Sequence, residues 1–127
     1  SAEAMKQSKL QDMSTPQLVD QFAAVAVQQG EALLAGNISR VNRLFDQLEV
    51  IEHELKSRVG DQRTALMSLY DSPNVHGRGK AAKATLAVAP AAARQQLEDI
   101  AASDWQPQAG EAGMSLWNLD RGVFKPT

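Results

Sequence analysis

Cysteine is absent from the 127-residue sequence, and aromatic residues are few: two tryptophans, one tyrosine and three phenylalanines. The absence of cysteine excludes disulfide bonds, thiolate catalysis and cysteine-bound metal. It fits a reducing compartment, so we expect a cytoplasmic protein. No apolar run approaches the roughly 20 residues of a membrane-spanning helix, so we expect no membrane association. The formal net charge of −2 gives no general attraction to nucleic acid or to an anionic membrane.

Alanine and leucine are plentiful, and apolar residues recur at helical rather than strand spacing, which predicts an all-α protein. Ser14 and Gln17 have the spacing of a capping box and predict the start of a first helix. Gly36 is suited to end that helix and Asn37 to cap the next, which predicts an antiparallel helical hairpin. The second helix is predicted from an apolar face at steps of three and four residues: Ile38, Val41, Leu44, Phe45, Leu48, Ile51 and Leu55.

Four further helices are predicted in the second half of the chain. A third follows a cap at Asp61, a fourth follows the turn at 72–74 and runs to about Val88, and Pro90 lies in the first turn of a fifth. A sixth covers about 108–120 and ends before Gly122. We therefore predict six helices in three antiparallel pairs, forming one helical-repeat-like domain over residues 14–127 after a flexible segment at residues 1–13.

Several apolar residues near the C-terminus are expected to lie inside this domain. We expect Trp117 in the core and Val123 and Phe124 folded back against the core. Trp105 is expected to close the end of the last helical pair, with an exposed anchor for a partner as the alternative.

The pattern Ser72-Pro73-Asn74, Arg78, Ala81-Ala82 and Leu86 resembles the core of a HEAT-type repeat. Several further segments resemble a small bacterial family catalogued as a domain of unknown function with an armadillo-like fold. They include Asn42-Arg43-Leu44-Phe45, Glu54-Leu55-Lys56-Ser57-Arg58, Lys80-Ala81-Ala82-Lys83 and Trp105-Gln106-Pro107-Gln108. The resemblance implies an armadillo/HEAT-like α–α superhelix, and it implies no reaction.

Two groups of residues have side chains suited to chemistry. Asp46, Glu49 and His53 share one side of the second helix, but they lack the spacing of a specific metal motif, so we interpret them as a solvated polar face. His76, in the turn before the fourth helix, has no serine or carboxylate tied to it by a motif. We interpret it as an exposed turn residue, and we expect no catalytic residue, cofactor or metal.

The stretch from Ser72 to Leu97 contains no acidic residue and carries four basic ones: Arg78, Lys80, Lys83 and Arg94. One interpretation is a site for phosphate or for an acidic partner surface. The other is a solvated face on which Arg78 holds neighbouring turns by hydrogen bonds. The pattern alone leaves both open.

The leading hypothesis is a non-enzymatic protein–protein interaction module, either an adaptor or an immunity-type neutraliser of another protein. The alternative is nucleic-acid or phosphoanion binding through the basic stretch Arg78–Arg94, and a third is an enzyme with an acid/base site near His76. The partner's identity and the oligomeric state stay open. The predicted partner-binding residues lie on the second, fourth and sixth helices: Arg43, Gln47, Glu54, Arg78, Lys83, Asn118 and Arg121.

Overall fold

The structure, a computed structural model, describes residues 9–127, and every regular element in that range is a helix. The prediction of an all-α protein is therefore confirmed for the described part of the chain. Its residues belong to two compact units, the first ending at Ala65 and the second beginning at Leu66. The elements are α1 (Thr15–Leu34), α2 (Ile38–Ser57), a 3₁₀ helix (Gln62–Asp71), α3 (Val75–Thr85), α4 (Pro90–Ala101) and α5 (Gln108–Asp120).

The first unit is built on the α1–α2 hairpin that the sequence predicts. Ser14 Oγ accepts a hydrogen bond from the Gln17 amide at 3.2 Å, and the Ser14 amide donates to Gln17 Oε1 at 2.9 Å. Gly36 has a φ of 72°, a conformation that favours glycine. The Asn37 side chain then caps α2 by accepting from the Arg40 amide at 3.2 Å. These local signals account for both helix ends of the hairpin.

The apolar face of α2 is narrower in the structure than in the sequence pattern. Leu44, Leu48, Ile51 and Leu55 are buried, and they follow one another by three or four residues. Ile38 is exposed because it lies in the first turn of the helix, beside the end of the hairpin. The remaining partners in this core come from α1 and include Leu18, Phe22, Val25 and Ala26.

The third helix is a 3₁₀ helix that begins directly after Asp61, and the predicted cap is present, because Asp61 Oδ1 accepts a hydrogen bond from the Arg63 amide at 3.3 Å. Asp61 has a φ of 49°, and its carboxylate accepts from Arg63 Nε at 2.9 Å and from Arg63 Nη2 at 2.7 Å. This hydrogen-bonded guanidinium lowers the pKa of the Asp61 carboxyl. With three residues per turn, Arg63, Leu66 and Leu69 fall on one side of the element, and Arg63 and Leu66 are buried.

The second unit packs α4 against both α3 and α5. Its core consists of Ala82, Leu86, Ala93, Leu97, Ile100 and Ala112. Alanine is frequent in this set, and its small side chain allows the helices to approach closely. The Asn74 side chain caps α3 by accepting from the Gly77 amide at 2.7 Å. A Cβ at Gly77 would lie 3.3 Å from that same Asn74 oxygen, which explains a glycine in the first turn.

Helix α3 ends at Thr85, three residues before the predicted end near Val88. The Thr85 hydroxyl donates to the carbonyl of Ala81 at 2.8 Å and also forms a hydrogen bond with the hydroxyl of Tyr70. Pro90 then begins α4, and the residue before a proline is disfavoured in helical conformation. The helix boundary therefore lies earlier than the hydrophobic pattern indicated.

The C-terminal apolar residues are on the surface, so three predictions made for them are wrong. Trp117 is 52% exposed because Leu116 and Leu119 occupy the half-buried side of α5, and position 117 points away from them. Val123 and Phe124 are exposed, and their amides donate to the Asn118 carbonyl at 2.9 and 3.2 Å. They complete the hydrogen bonds at the end of α5 instead of adding to the core.

Trp105 is 63% exposed, which agrees with the alternative of a surface position and contradicts the expected plug.

Candidate functional site

The first unit contains a groove with a volume of about 340 Å³, within the range of small-molecule pockets. Its apolar lining comes from Leu10, Met13, Val50 and Ile51. Its polar lining comes from Lys9, Gln21, Arg43, Asp46 and Gln47. Two of the predicted partner-binding residues, Arg43 and Gln47, therefore lie together in one concave site.

One wall of this groove is the segment 9–13, which precedes α1, and Arg58 at the end of α2 holds it. Arg58 Nη2 donates to the carbonyls of Met13 at 2.6 Å and Leu10 at 3.1 Å, and Nη1 donates to Thr15 Oγ1 at 3.2 Å. Its Nε donates to Glu54 at 2.8 Å, which orients the guanidinium. We call this set of four bonds the Arg58 clamp.

The Arg58 clamp bears on two of the predictions. Glu54, one of the predicted partner-binding residues, is half-buried and forms an ion pair with Arg58. The segment predicted to be flexible covers residues 1–13, and residues 1–8 of it lie outside the described residues. Its remainder is bonded to Arg58 through Leu10 and Met13.

The second unit exposes a stripe on α5, which we call the α5 face and define as Gly110, Gly113, Met114, Trp117 and Arg121. These positions are spaced by three and four residues and so share one side of the helix. Met114 is 59% exposed, and the Arg121 guanidinium carbon lies 4.2 Å from the centre of the Trp117 ring. A Cβ built at Gly113 would meet no atom within 4 Å. The α5 face is thus an open apolar surface with a cation at one end.

The α5 face includes one of the predicted partner-binding residues, Arg121, and omits another. Asn118 is half-buried, and its backbone carbonyl accepts hydrogen bonds from the amides of Val123 and Phe124. Met114 and Trp117 were missed as surface residues. The signal that would have found them is the spacing of Ala109, Ala112, Leu116 and Leu119, which already supplies a complete inward side for α5.

His76 lies in the first turn of α3 and is 6% exposed, so the interpretation as an exposed turn residue is wrong. Its Nδ1 is 3.2 Å from Gln108 Nε2, an amide donor on α5. Burial, and secondarily the charge of Lys80, lower the pKa of His76 to about 4. The adjoining cavity of about 20 Å³ has room for about one water molecule.

The basic residues of the stretch Arg78–Arg94 have different surroundings. Arg94 donates to Glu98 at 2.9 Å and to Asp120 at 2.9 and 3.2 Å. Lys80 borders the small cavity together with Lys83 and Glu111. The pKa of Lys80 is lowered by burial and next by the charge of Lys83, and the opposing effect of Glu111 is smaller. Arg78 is half-buried, and its Nε is buried without a hydrogen-bond partner. Glu98, Asp120 and Glu111 therefore place acidic groups beside part of the stretch.

The side chains of residues 9–127 bring no three His, Asp or Glu groups within reach of one metal ion. Asp46, which the sequence places in line with Glu49 and His53, borders the groove of the first unit. Among the helices of that same range, none is long and apolar enough to cross a bilayer.

The paired helices and the two surfaces define a small all-α protein, and sequence comparison shows its family. The chain belongs to the family described as a domain of unknown function (DUF2019), which matches residues 16–120. It is also similar to the crystal structure of the protein RPA1889 from Rhodopseudomonas palustris CGA009. The two sequences are 58% identical, the TM-score is 0.90, and the match covers 93% of this chain and 98% of that chain. None of the curated proteins matches the chain.

These matches confirm the resemblance to a family of unknown function that the sequence segments indicated.

Proposed function

We propose that the protein is a non-enzymatic interaction module, an adaptor or an immunity-type neutraliser, which binds its partner protein through the α5 face. The observation that carries this proposal is the exposure of Trp117 beside Met114 on an ordered helix. Tryptophan and arginine are the residues most enriched at interface hot spots, and exposed apolar patches mark interaction sites.

The composition of the α5 face suits a specific kind of contact. Gly113 lacks a side chain and a Cβ there would meet no atom within 4 Å, so the backbone of a partner segment is able to approach α5 closely at this position, on the same side of the helix as the Trp117 ring. At Gly110 the Gln106 side chain accepts from the backbone amide at 3.2 Å and covers it. Arg121 stacks on that ring and is exposed, which suits a carboxylate next to the partner's apolar anchor. The partner is therefore expected to present an apolar side chain flanked by an acidic residue.

An affinity capture from lysate of the native host tests this proposal. The baits are the wild-type chain, the variant Trp117→Ser and the matched control Leu34→Ser, which removes an apolar side chain that is 79% exposed on the other unit. We expect one protein to be retained by the wild type and by Leu34→Ser and to be lost from Trp117→Ser. Retention of the same protein by Trp117→Ser at wild-type yield would contradict the proposal.

A fourth bait tests the residues first predicted from the sequence, with Arg43, Arg78 and Lys83 changed to glutamate. Loss of the partner from this bait alone would move the contact from the α5 face to those cations. Treating each lysate with nuclease separates the nucleic-acid alternative, because binding that depends on nucleic acid disappears with the nuclease. Phosphoanion binding through Arg78–Arg94 would also weaken steeply with added salt.

Two finer features belong to the same proposal. The first is that the helical pairs are stacked as in an armadillo/HEAT-like α–α superhelix, a class whose members commonly bind other proteins along their helices. The second is a cytoplasmic location, where the partner would also be found. Both rest on the family resemblance and the composition of the sequence.

A further inference from the structure

We infer that the groove of the first unit binds a small amphipathic carboxylate, with an alkyl chain of medium length in the groove and the carboxylate on Arg43. This site lies on the first unit and is independent of the proposed contact through α5. The inference rests on three properties of the groove: its size and shape, its charge, and the clamp that forms one wall.

The size and shape of the groove suit a single extended chain. Its volume of about 340 Å³ is at the small end of the range for ligand pockets. The lining residues on α2 run from Arg43 to Ile51, which is about 12 Å along the helix at about 1.5 Å per residue. Leu10, Met13, Val50 and Ile51 supply an apolar lining, so an alkyl chain in the groove would be in contact with hydrocarbon.

The charge of the groove selects an anionic end for the ligand. Lys9 and Arg43 contribute two positive charges and Asp46 one negative charge, which leaves an excess of one positive charge. Within residues 9–127 the Arg43 guanidinium takes part in no ion pair, unlike the guanidinium of Arg58. A guanidinium of this kind is suited to bind a carboxylate through two parallel hydrogen bonds.

The Arg58 clamp makes the wall of the groove a fixed structure. Arg58 bonds to the carbonyls of Leu10 and Met13, the same two residues whose side chains line the groove. A wall held before the ligand arrives lowers the ordering cost of binding. Arg58 is thus a positioning residue for this site.

Isothermal titration of the full chain with decanoate, below its micelle concentration, tests the inference. We expect saturable one-to-one binding that weakens about fourfold for each methylene removed, as seen by comparing decanoate with octanoate. The variant Arg43→Gln is expected to weaken decanoate binding about tenfold. It should leave binding of the uncharged analogue decanol unchanged. Arg40→Gln, an exposed arginine one turn away on α2, is the matched control.

A second pair of variants keeps the test independent of charge. Val50→Trp fills the groove and should abolish binding, whereas Glu49→Trp adds the same side chain at an exposed position outside it. Far-UV circular dichroism checks that both variants are folded, and Trp117→Ser should bind decanoate as the wild type does. The inference is overturned if the wild type shows no saturable binding, if Arg43→Gln and Val50→Trp bind normally, or if Arg43→Gln affects decanol and decanoate equally.

Discussion

Removal of the side chain of Arg58, the residue that follows α2, should destabilise the first unit more than removal of any charged side chain within α2. In the variant Arg58→Ala, four hydrogen bonds are lost: to Glu54, Thr15, Leu10 and Met13. Hydrogen bonds with a charged partner contribute roughly 1.5–3 kcal/mol each, but the freed carbonyls regain water and the segment 9–13 regains conformational entropy. We therefore expect the free energy of unfolding to fall by about 2–4 kcal/mol in total.

Urea denaturation followed by circular dichroism measures this loss directly. Arg40→Ala is the control, because it deletes an exposed arginine of the same helix and should change stability by less than about 0.5 kcal/mol. Arg58→Lys should recover only part of the loss, since a lysine ammonium cannot bond to both carbonyls and to Glu54 in the planar arrangement of a guanidinium. A loss below about 0.5 kcal/mol for Arg58→Ala would refute the clamp.

Three further predictions concern the second unit. Burial lowers the pKa of His76 from 6.5 to about 4. As the pH falls, the His76 imidazole therefore takes up its proton in the unfolded chain at a higher pH than in the folded chain. Stability should therefore decrease between about pH 6.5 and 4, by up to about 3 kcal/mol, in urea titrations. The variant His76→Asn should flatten that slope; an unchanged slope would contradict the burial argument. Asn74→Ala should cost about 1 kcal/mol through loss of the α3 cap, whereas an unchanged urea midpoint would show that the cap is dispensable. Leu97→Ala, at the centre of the core, should cost about 2–5 kcal/mol in the same assay, and a cost under about 1 kcal/mol would show a loosely packed core.

The α1–α2 hairpin was predictable because its signals are local. The Ser14 capping box, the left-handed Gly36 and the Asn37 cap each act within four residues of the position they determine. The 3₁₀ helix was not predictable in the same way. Apolar steps of three residues, such as Leu66 to Leu69, occur in both helix types, and the bonding of Arg63 to Asp61 is visible only in the folded chain.

The candidate sites were predictable only in part. Arg43, Gln47 and Arg121 were selected as polar helix positions, and each lies in one of the two surfaces described above. The wall of the groove depends on Arg58 meeting residues more than 40 positions earlier in the chain, which no local pattern encodes. Trp117 was wrongly predicted to be buried because Ala112, Leu116 and Leu119 already occupy the inward side of α5.

The most direct test of the interaction proposal is a photocrosslinking amino acid placed at position 114, beside Trp117, with position 34 as the control on the other unit. Both side chains are exposed, so substitution at either site should leave the fold intact. The account predicts one crosslinked protein from position 114 and none from position 34 when the protein is irradiated in its host cell. No crosslinked protein from position 114, or the same species from both positions, would contradict it.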